Sequence, residues 1–275
     1  NLTSIGSYAF YGCSSLASVA LPSNLTSIGS GAFYRCSSLG SLALPSSLTS
    51  IGYEAFQDCA SLTSITVTLP SSLTSIQGRA FSGCTSLTSV ALPSSLGDIG
   101  HDQYGYMYGT VGMGTRIFEG CSSLISLDLS SLLNITRIED DFCHGCTSLS
   151  SVALPSTLEY IGSNAFRGTA LTSISLPSHL KCLEACRPYQ YNSDYGPQSE
   201  VCNDGGLGSL NSDCAFGTDC TDCGPRGALR SIGDHAFWEC PSLDVVYVPF
   251  DCTVGALAFT NGYARGSAPL APPSA

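Results

Sequence analysis

Residues 21–43 read LPSNLTSIGSGAFYRCSSLGSLA, and residues 44–66 read LPSSLTSIGYEAFQDCASLTSIT. The two stretches carry Leu-Pro-Ser, Leu-Thr-Ser-Ile-Gly, Ala-Phe and Cys at the same offsets. The unit is therefore about 23 residues long, and a fixed period between about 20 and 50 residues is typical of stacked repeat proteins. Each unit is too small to bury its own apolar face, and neighbouring units must therefore stack against one another.

Phenylalanines mark the phase of this repeat along most of the chain. Most follow one another at a nearly constant spacing, whereas two much longer steps predict insertions before Phe118 and Phe237. Short alternating apolar segments bounded by Pro, Ser and Gly are typical of short strands. We predict a mainly β repeat solenoid with turns or short helices, interrupted by a Tyr/Gly loop and a disulfide-rich insertion. The marking residues are Phe10, Phe33, Phe56, Phe81, Phe118, Phe142, Phe166, Phe237 and Phe259.

The pattern LPSSLTSIGxxAFxxCxSLTSV resembles the BspA-type leucine-rich repeat of bacterial surface antigens and protist surface families. The resemblance covers about residues 1–179 and 229–260. It implies a curved right-handed solenoid in an extracellular or cell-surface protein. It also implies a non-catalytic role in recognition or adhesion, through binding to host proteins, matrix or neighbouring cells.

The pattern predicts four segments. Residues 1–179 form the solenoid, with a loop insertion at about 101–115, and residues 180–228 form a cysteine-rich insertion. Residues 229–260 hold the final repeats and a C-terminal cap, and residues 261–275 form a Pro/Ala-rich tail. Because the chain opens in the middle of a unit, we expect it to be a fragment or an excised domain.

Composition and charge exclude several classes of function. Ten Lys and Arg against 21 Asp and Glu give a formal net charge of −11, whereas nucleic-acid binding needs a basic face. No apolar run approaches the roughly 18 residues that span a bilayer, so we predict no membrane insertion by this segment. The sequence contains no nucleophile elbow, phosphate loop or His-Glu-x-x-His motif, and we expect no enzyme activity.

The 15 cysteines fall into two populations. One occupies a single repeat position, and we interpret it as a ladder of small buried thiols, with a disulfide staircase or a metal ladder as alternatives. Cys143 and Cys252 belong to neither population and are expected to be free. The ladder consists of Cys13, Cys36, Cys59, Cys84, Cys121, Cys146 and Cys240, and the second population of Cys182, Cys186, Cys202, Cys214, Cys220 and Cys223.

The second population lies in an insertion with few large aliphatic residues, which cannot form a core alone. We predict three disulfides there, although six cysteines allow 15 connectivities. Disulfides imply an oxidising compartment, and hence secretion or surface display. The stretch from Cys202 to Arg226 resembles a small cysteine module of secreted algal and protist proteins.

No cofactor is predicted, and the insertion aspartates are interpreted as solvated turn residues, which favour Asx turns. Calcium is the alternative, because oxygen donors crowded among glycines suit a hard cation. Zinc at the Cys-x2-Cys pair is a weaker alternative, since a second half-site with suitable spacing is missing. The candidate calcium ligands are Asp204, Asp213, Asp219 and Asp222.

The two insertions also hold the predicted binding residues, because insertions in repeat proteins map to loops that often carry binding. Rigid aromatic rings supply contact area at low entropic cost, and the partner is predicted to be an unknown protein or glycan at a cell surface. The alternative is that the first loop folds back over the solenoid and covers an opening in the core. The candidates are Tyr104, Tyr106, Met107, Tyr108, Met113, Tyr189, Tyr191 and Tyr195.

The repeated surface itself predicts little binding, because the outward residues of the first strand of each unit are mostly Ser and Ala. Two other functions compete with recognition. One is a structural spacer of a cell surface or wall, and the other is a hydroxyl array that binds glycan or ice. Glycosylation sequons at Asn1, Asn24 and Asn134 share one turn position, so their glycans would project from one edge, although the turn favours a small polar residue anyway.

Overall fold

A computed structural model describes residues 2–63, 69–99, 116–177, 229–244, 246–249, 252–259 and 264–265. These residues form a parallel β-solenoid of short strands and turns, without a helix, as the repeat predicts. Where two strands of one coil are described, they belong to different sheets. No long apolar helix of the kind that crosses a membrane occurs in this described part.

The first strands of successive coils form what we call the Ser-Val face. Its inward residues are apolar and its outward residues are small, in an exposed–buried–exposed alternation. Pairing is parallel throughout, within β2–β4, β7–β9–β11 and β14–β16. The strands are β2 (Ser18–Val19), β4 (Ser41–Leu42), β7 (Ser89–Ala91), β9 (Ser126–Asp128), β11 (Ser151–Ala153), β14 (Tyr247–Val248) and β16 (Ala264–Arg265).

The second strands form the Ser-Ile face, which pairs in the orders β1-β3-β5-β6-β8 and β10-β12-β13-β15. The register places equivalent residues opposite one another, for example Ile28 opposite Ile51. The strands are β1 (Ser4–Ile5), β3 (Ser27–Ile28), β5 (Ser50–Ile51), β6 (Ser75–Ile76), β8 (Asp98–Ile99), β10 (Arg137–Ile138), β12 (Tyr160–Ile161), β13 (Ser231–Ile232) and β15 (Thr253–Val254).

The core is one continuous cluster, to which every coil contributes the same positions. Two strand residues and two turn leucines point inward, and the Ala-Phe-x-x-Cys corner closes the coil. Because the register repeats, each side chain packs on its own counterpart in the next coil. In the second coil the buried residues are Leu25, Ile28, Ala32, Phe33, Cys36, Leu39 and Leu42.

The corner has an unusual backbone that joins neighbouring coils. The N–H groups of Tyr8, Phe10 and Gly12 donate to carbonyls of the next coil over 2.7 to 2.8 Å. Two positions in each corner adopt a positive φ, and many of them are not glycine; Glu54 and Asp58 have φ of 56° and 58°. A left-handed conformation costs a non-glycine residue about 1–2 kcal/mol, and the hydrogen bonds to the next coil offset that cost.

The prediction that Phe142 marks the repeat position is wrong. In each corner the Phe N–H donates to the Ala-position carbonyl of the next coil, and Phe118 donates to Phe142 at 2.9 Å. Phe142 therefore occupies the Ala position, and Cys143, whose N–H donates to Ala165 at 2.7 Å, occupies the Phe position. The turn between Leu129 and Ile135 is longer than its counterparts, and this extra length shifts the phase of the corner that follows it.

The Phe-Cys pair, which stands in place of Ala-Phe, changes ring packing without opening the core. At the regular positions the rings stack with interplanar angles of 3° to 12°. Phe142 meets Phe118 at 89° and Phe166 at 72°. The ring enters from the Ala position and compensates for the small Cys143 side chain, and both residues are fully buried.

This compensation predicts strong coupling between the two positions. Phe142→Ala should lower the free energy of unfolding by about 3–5 kcal/mol, because Cys143 cannot fill the cavity. Cys143→Phe should lower it by about 1–3 kcal/mol through overpacking. The double variant restores the Ala-Phe order and should lie within about 1.5 kcal/mol of the natural protein in urea unfolding. Simple addition of the two losses would contradict this assignment.

Candidate interaction surfaces

Most of the predicted site residues lie outside the described residues. These are the eight Tyr and Met candidates in the insertions, the six insertion cysteines, the four aspartates and Asn1. Asn24 and Asn134 are described, and both are exposed in equivalent turns that precede β3 and β10. Their side chains are therefore accessible, and glycosylation stays a prediction. Among the described residues, no group of three or more His, Cys, Asp or Glu is arranged to hold a metal.

The interpretation of the ladder as a row of buried thiols is confirmed for every ladder cysteine except Cys13, which is exposed. Each buried thiol donates to the carbonyl of the Phe in the preceding coil, for example Cys59 Sγ to Phe33 O at 3.1 Å. The same contact occurs at Cys36, Cys84, Cys121, Cys146 and Cys240, over 3.0 to 3.2 Å. None of the nine described cysteines, Cys143 and Cys252 included, forms a disulfide.

Burial keeps these thiols protonated, as donation requires. It raises the pKa of Cys59 to about 12 and raises the pKa of Cys84 and Cys121 well above the ordinary value. A thiol is nucleophilic and binds metal only as the thiolate. The raised pKa of these three thiols therefore disfavours the thiolate form and favours a structural role in the core.

Threonine hydroxyls form a second ladder beside the Ser-Ile face. Thr26 Oγ1 donates to Thr3 O and Thr49 Oγ1 donates to Thr26 O, each at 2.9 Å, and Thr74 continues the series at 3.2 Å. Each hydroxyl hydrogen is thus used within the stack. These side chains keep only acceptor capacity for a ligand.

The Ser-Val face is as smooth as the sequence predicts. Its exposed outward residues include Ser89, Ala91, Ser151 and Ala153. Small side chains let the coils stack but supply few of the aromatic and Arg groups that dominate binding energy. Among the larger exposed apolar and aromatic side chains on this face are those of Ile125 and Tyr247.

Two coils in the second half of the Ser-Ile face carry larger outward residues than the coils before them. At the outward position where β1, β3, β5 and β6 carry serine, β10 carries Arg137 and β12 carries Tyr160. The neighbouring outward row, which holds threonine in the first half, holds Glu159 and Arg230. We call this group the Arg-Tyr patch; it consists of Arg137, Glu139, Glu159, Tyr160 and Arg230.

The patch is held in a fixed arrangement by two contacts to Arg137. Its guanidinium carbon lies 4.0 Å from the centre of the Tyr160 ring, and its Nε lies 2.8 Å from Glu139 Oε1. Arg230 Nε lies 3.6 Å from Glu159 Oε2 on the same face. Burial raises the pKa of Tyr160, and the nearby Asp140 and Glu139 carboxylates raise it further. The phenol therefore stays neutral and keeps its proton for donation.

Both insertions are joined to described residues close to this patch. The first begins directly after β8, in the coil before Arg137, and the second lies between β12 and β13. The patch lies on the second strand of each unit, whereas the sequence-based prediction of outward residues concerns the first strand. The available signal was the replacement of serine by Arg137 and Tyr160 at one repeat position.

A second cluster of large side chains lies on the outer side of the first corners. Tyr8 and Tyr11 meet edge to face with ring centres 6.0 Å apart, and Tyr11 meets Tyr34 in the same way at 5.3 Å. Arg35 lies over the Tyr34 ring at 5.0 Å and is 3.8 Å from Asp58. Tyr8 and Tyr11 are 53% and 49% exposed. We call Tyr8, Tyr11 and Tyr34 the tyrosine cluster.

The later corners carry ion pairs in place of tyrosines. Arg116 pairs with Asp141 at 3.2 Å, and Arg167 contacts both carboxylate oxygens of Glu239 at 3.2 Å. The hydrogen bond from Arg167 lowers the pKa of Glu239. Exposed ion pairs of this kind contribute little to stability. Their effect is to give this part of the corner a mixed, strongly polar surface.

Comparison with known proteins agrees with the architecture. The profile of the BspA type leucine rich repeat region matches six copies, over residues 1–110 and 67–187. A leucine-rich repeat protein of T. pallidum is 33% identical, with a TM-score of 0.50, over 60% of this chain and 69% of its own. A leucine-rich cell surface protein of Faecalibacterium prausnitzii shares the fold at 22% identity and a TM-score of 0.50, over 91% and 69%. No curated protein matches the chain significantly.

The thiol ladder predicts selective labelling of the native protein. At pH 8 a maleimide should modify Cys13, because it is exposed, and should leave Cys59, Cys84 and Cys121 unmodified until urea unfolds the chain. Peptide mass spectrometry measures each site. Because the pKa of Cys59 is raised in the fold, its contribution to stability should be lost as the pH rises from about 9 to about 12. Labelling of Cys84 at the rate of Cys13 would refute the ladder.

Proposed function

The chain belongs to the BspA-type leucine-rich repeat family, and from this premise we propose that it is an extracellular recognition or adhesion module. It acts without catalysis and binds a protein or glycan at a cell surface. Family membership supports a repeat module for interactions. The extracellular location is supported by the similar fold of a cell surface protein from F. prausnitzii.

The main structural support for this proposal is the Arg-Tyr patch. Tyr and Arg are enriched among the residues that dominate binding energy at interfaces. Arg137 is already held by Tyr160 and Glu139, so it loses little conformational freedom when a ligand arrives. The rest of the Ser-Ile face offers mainly serine and threonine, so the patch stands out from an otherwise uniform surface.

The charge of the patch and of the whole chain restricts the partner. The patch offers guanidinium donors, a neutral phenol and carboxylate acceptors, which suits sugar hydroxyls or a protein surface of mixed charge. The net charge of −11 disfavours the approach of strongly acidic partners such as nucleic acids. We therefore propose a neutral glycan or a neutral to basic protein as the ligand.

The two insertions are the second part of the proposed binding surface. We propose that their tyrosines and methionines extend the contact area beside the patch, and that the six insertion cysteines form disulfides in an oxidising compartment. We propose that the module needs no cofactor, with calcium at Asp204, Asp213, Asp219 and Asp222 as the alternative. The exposure of Asn24 and Asn134 supports their use as glycan attachment sites.

Binding by the patch is tested with the labelled full chain. We expect saturable binding to intact cells of the producing organism, to matrix proteins or to immobilised polysaccharide. The Arg137→Ser/Tyr160→Ser variant restores the serine found in other coils, so it should fold normally and bind at least about tenfold more weakly. Protease or glycosidase treatment of the target identifies its chemistry.

The matched control is Arg79→Ser/Tyr247→Ser, which removes the same residue types away from the patch. Arg79 lies at a corner, where it pairs with Glu54, and Tyr247 lies on the Ser-Val face. This control should bind like the natural protein. Equal binding by the patch variant and the control, or the absence of saturable binding to every target, would contradict the proposed function.

A further inference from the structure

The tyrosine cluster presents a strip of aromatic surface that is not used in the core. The strip has a defined shape, because each pair meets edge to face with interplanar angles of 77° and 73°. Two successive edge-to-face contacts extend it over about 10 Å. Exposed apolar patches with a fixed geometry are typical of interaction sites.

The backbone beneath the cluster fixes its position. Gly31 has a φ of 60°, and a Cβ atom at this residue would collide with the ring of Tyr8. The ring of Tyr8 therefore lies directly against the backbone of the next coil. Tyr11 and Tyr34 follow the core phenylalanines Phe10 and Phe33 at equivalent positions of two successive coils. The cluster thus depends on the stack and is rigid before any ligand binds.

The same chain contains a segment whose chemistry matches this strip. Residues 266–275 read GSAPLAPPSA, with Pro269 and Pro272 in Pro-x-x-Pro spacing and Pro273 directly after. Proline fixes φ near −65° and favours the polyproline II helix, in which three residues advance about 9 Å. Aromatic-lined surfaces bind Pro-x-x-Pro segments of this form, at low entropic cost.

We propose that the tyrosine cluster of one copy binds the Pro269–Pro273 segment of a second copy. Proline rings pack on the faces and edges of Tyr8, Tyr11 and Tyr34, and the spacing of the two prolines fits the length of the aromatic strip. The contact is mainly apolar, so a net charge of −11 on each copy opposes it weakly at physiological salt. The proposal goes beyond the proposed function and does not depend on it.

The segment must come from a second copy because its own cluster is out of reach. Arg265 is fixed in β16, which pairs with β14 near the end of the stack. Eight ring-to-ring steps separate Phe10 from Phe259, or about 40 Å at the usual strand spacing. The seven residues from Arg265 to Pro272 span at most about 25 Å.

Such a contact is head to tail, since the cluster lies in the corners of Phe10 and Phe33 and the proline segment follows β16. Each copy supplies one cluster and one proline segment. Contacts of this kind form open chains unless their rotation closes a ring. Linked copies would present several Arg-Tyr patches at once, which raises avidity without any new contact to the ligand.

Sedimentation velocity over a concentration series tests the proposal with the full chain. The natural protein should show a mass that rises with concentration above 28.5 kDa. The cluster variant Tyr8→Ser/Tyr11→Ser and the segment variant Pro269→Ser/Pro272→Ser/Pro273→Ser should each stay monomeric. Tyr247→Ser removes an exposed tyrosine elsewhere and should associate like the natural protein.

An equimolar mixture of the two variants gives the decisive result. The segment variant keeps its tyrosine cluster and the cluster variant keeps its prolines, so together they can form a single contact. We expect a species of about twice 28.5 kDa and nothing larger. The synthetic peptide GSAPLAPPSA should dissociate the natural assemblies, whereas its Pro-to-Ser counterpart should not.

Three results would overturn the proposal. The natural protein could stay monomeric up to about 1 mM, which corresponds to a contact weaker than about 4 kcal/mol. The segment variant could associate like the natural protein, or the mixture could stay monomeric, which would assign the cluster to another partner. The segment variant changes no residue of the described coils, so its result stands even if the cluster variant fails to fold. Loss of self-association leaves ligand binding by the Arg-Tyr patch separately measurable.

Discussion

Backbone hydrogen bonding between successive coils is the constraint on which the rest of the structure depends. A coil of about 23 residues buries its Phe, Ile and Leu side chains only when a neighbour covers them, and its polar backbone must be paired at the same time. The strands pair their backbone groups in parallel β ladders. The corners solve it with alternate N–H groups that donate to the next coil, a solution that requires two left-handed residues per corner.

The thiol ladder follows from the same constraint. The Phe carbonyl of each corner accepts a hydrogen bond within its own coil and a second one from the next ladder thiol, as Phe33 O does from Cys36 N and Cys59 Sγ. Cysteine is small enough for the corner and apolar enough for the core, and it still donates. Thr169 fills the ladder position in one coil, but its hydroxyl donates to Phe166 O of its own coil and does not repeat the contact to the preceding coil.

The sequence predicts the parts of the molecule that repeat, because a residue that packs on its own counterpart must recur at a fixed spacing. The solenoid, the strand positions and the buried thiols follow from this rule. The predicted phase is wrong at Phe142, because Phe142 stands at the Ala position and Cys143 at the Phe position, as the hydrogen bonds of Phe118 and Cys143 show. The Arg-Tyr patch and the tyrosine cluster depend on contacts between coils, such as Arg137 with Tyr160, that no single unit contains. The binding and calcium residues predicted in the insertions stay predictions.

Amide hydrogen exchange of the native protein measures whether hydrogen bonds in the corners join neighbouring coils. Glu54, Phe56 and Asp58 donate to Gly78, Ala80 and Ser82 of the next coil, although they lie in a corner that would otherwise be classed as a turn. The account predicts that these three amides are protected to the same degree as those of β5. Exchange at the rate of solvent-exposed turns would show that the corners do not join the coils, and would contradict the account.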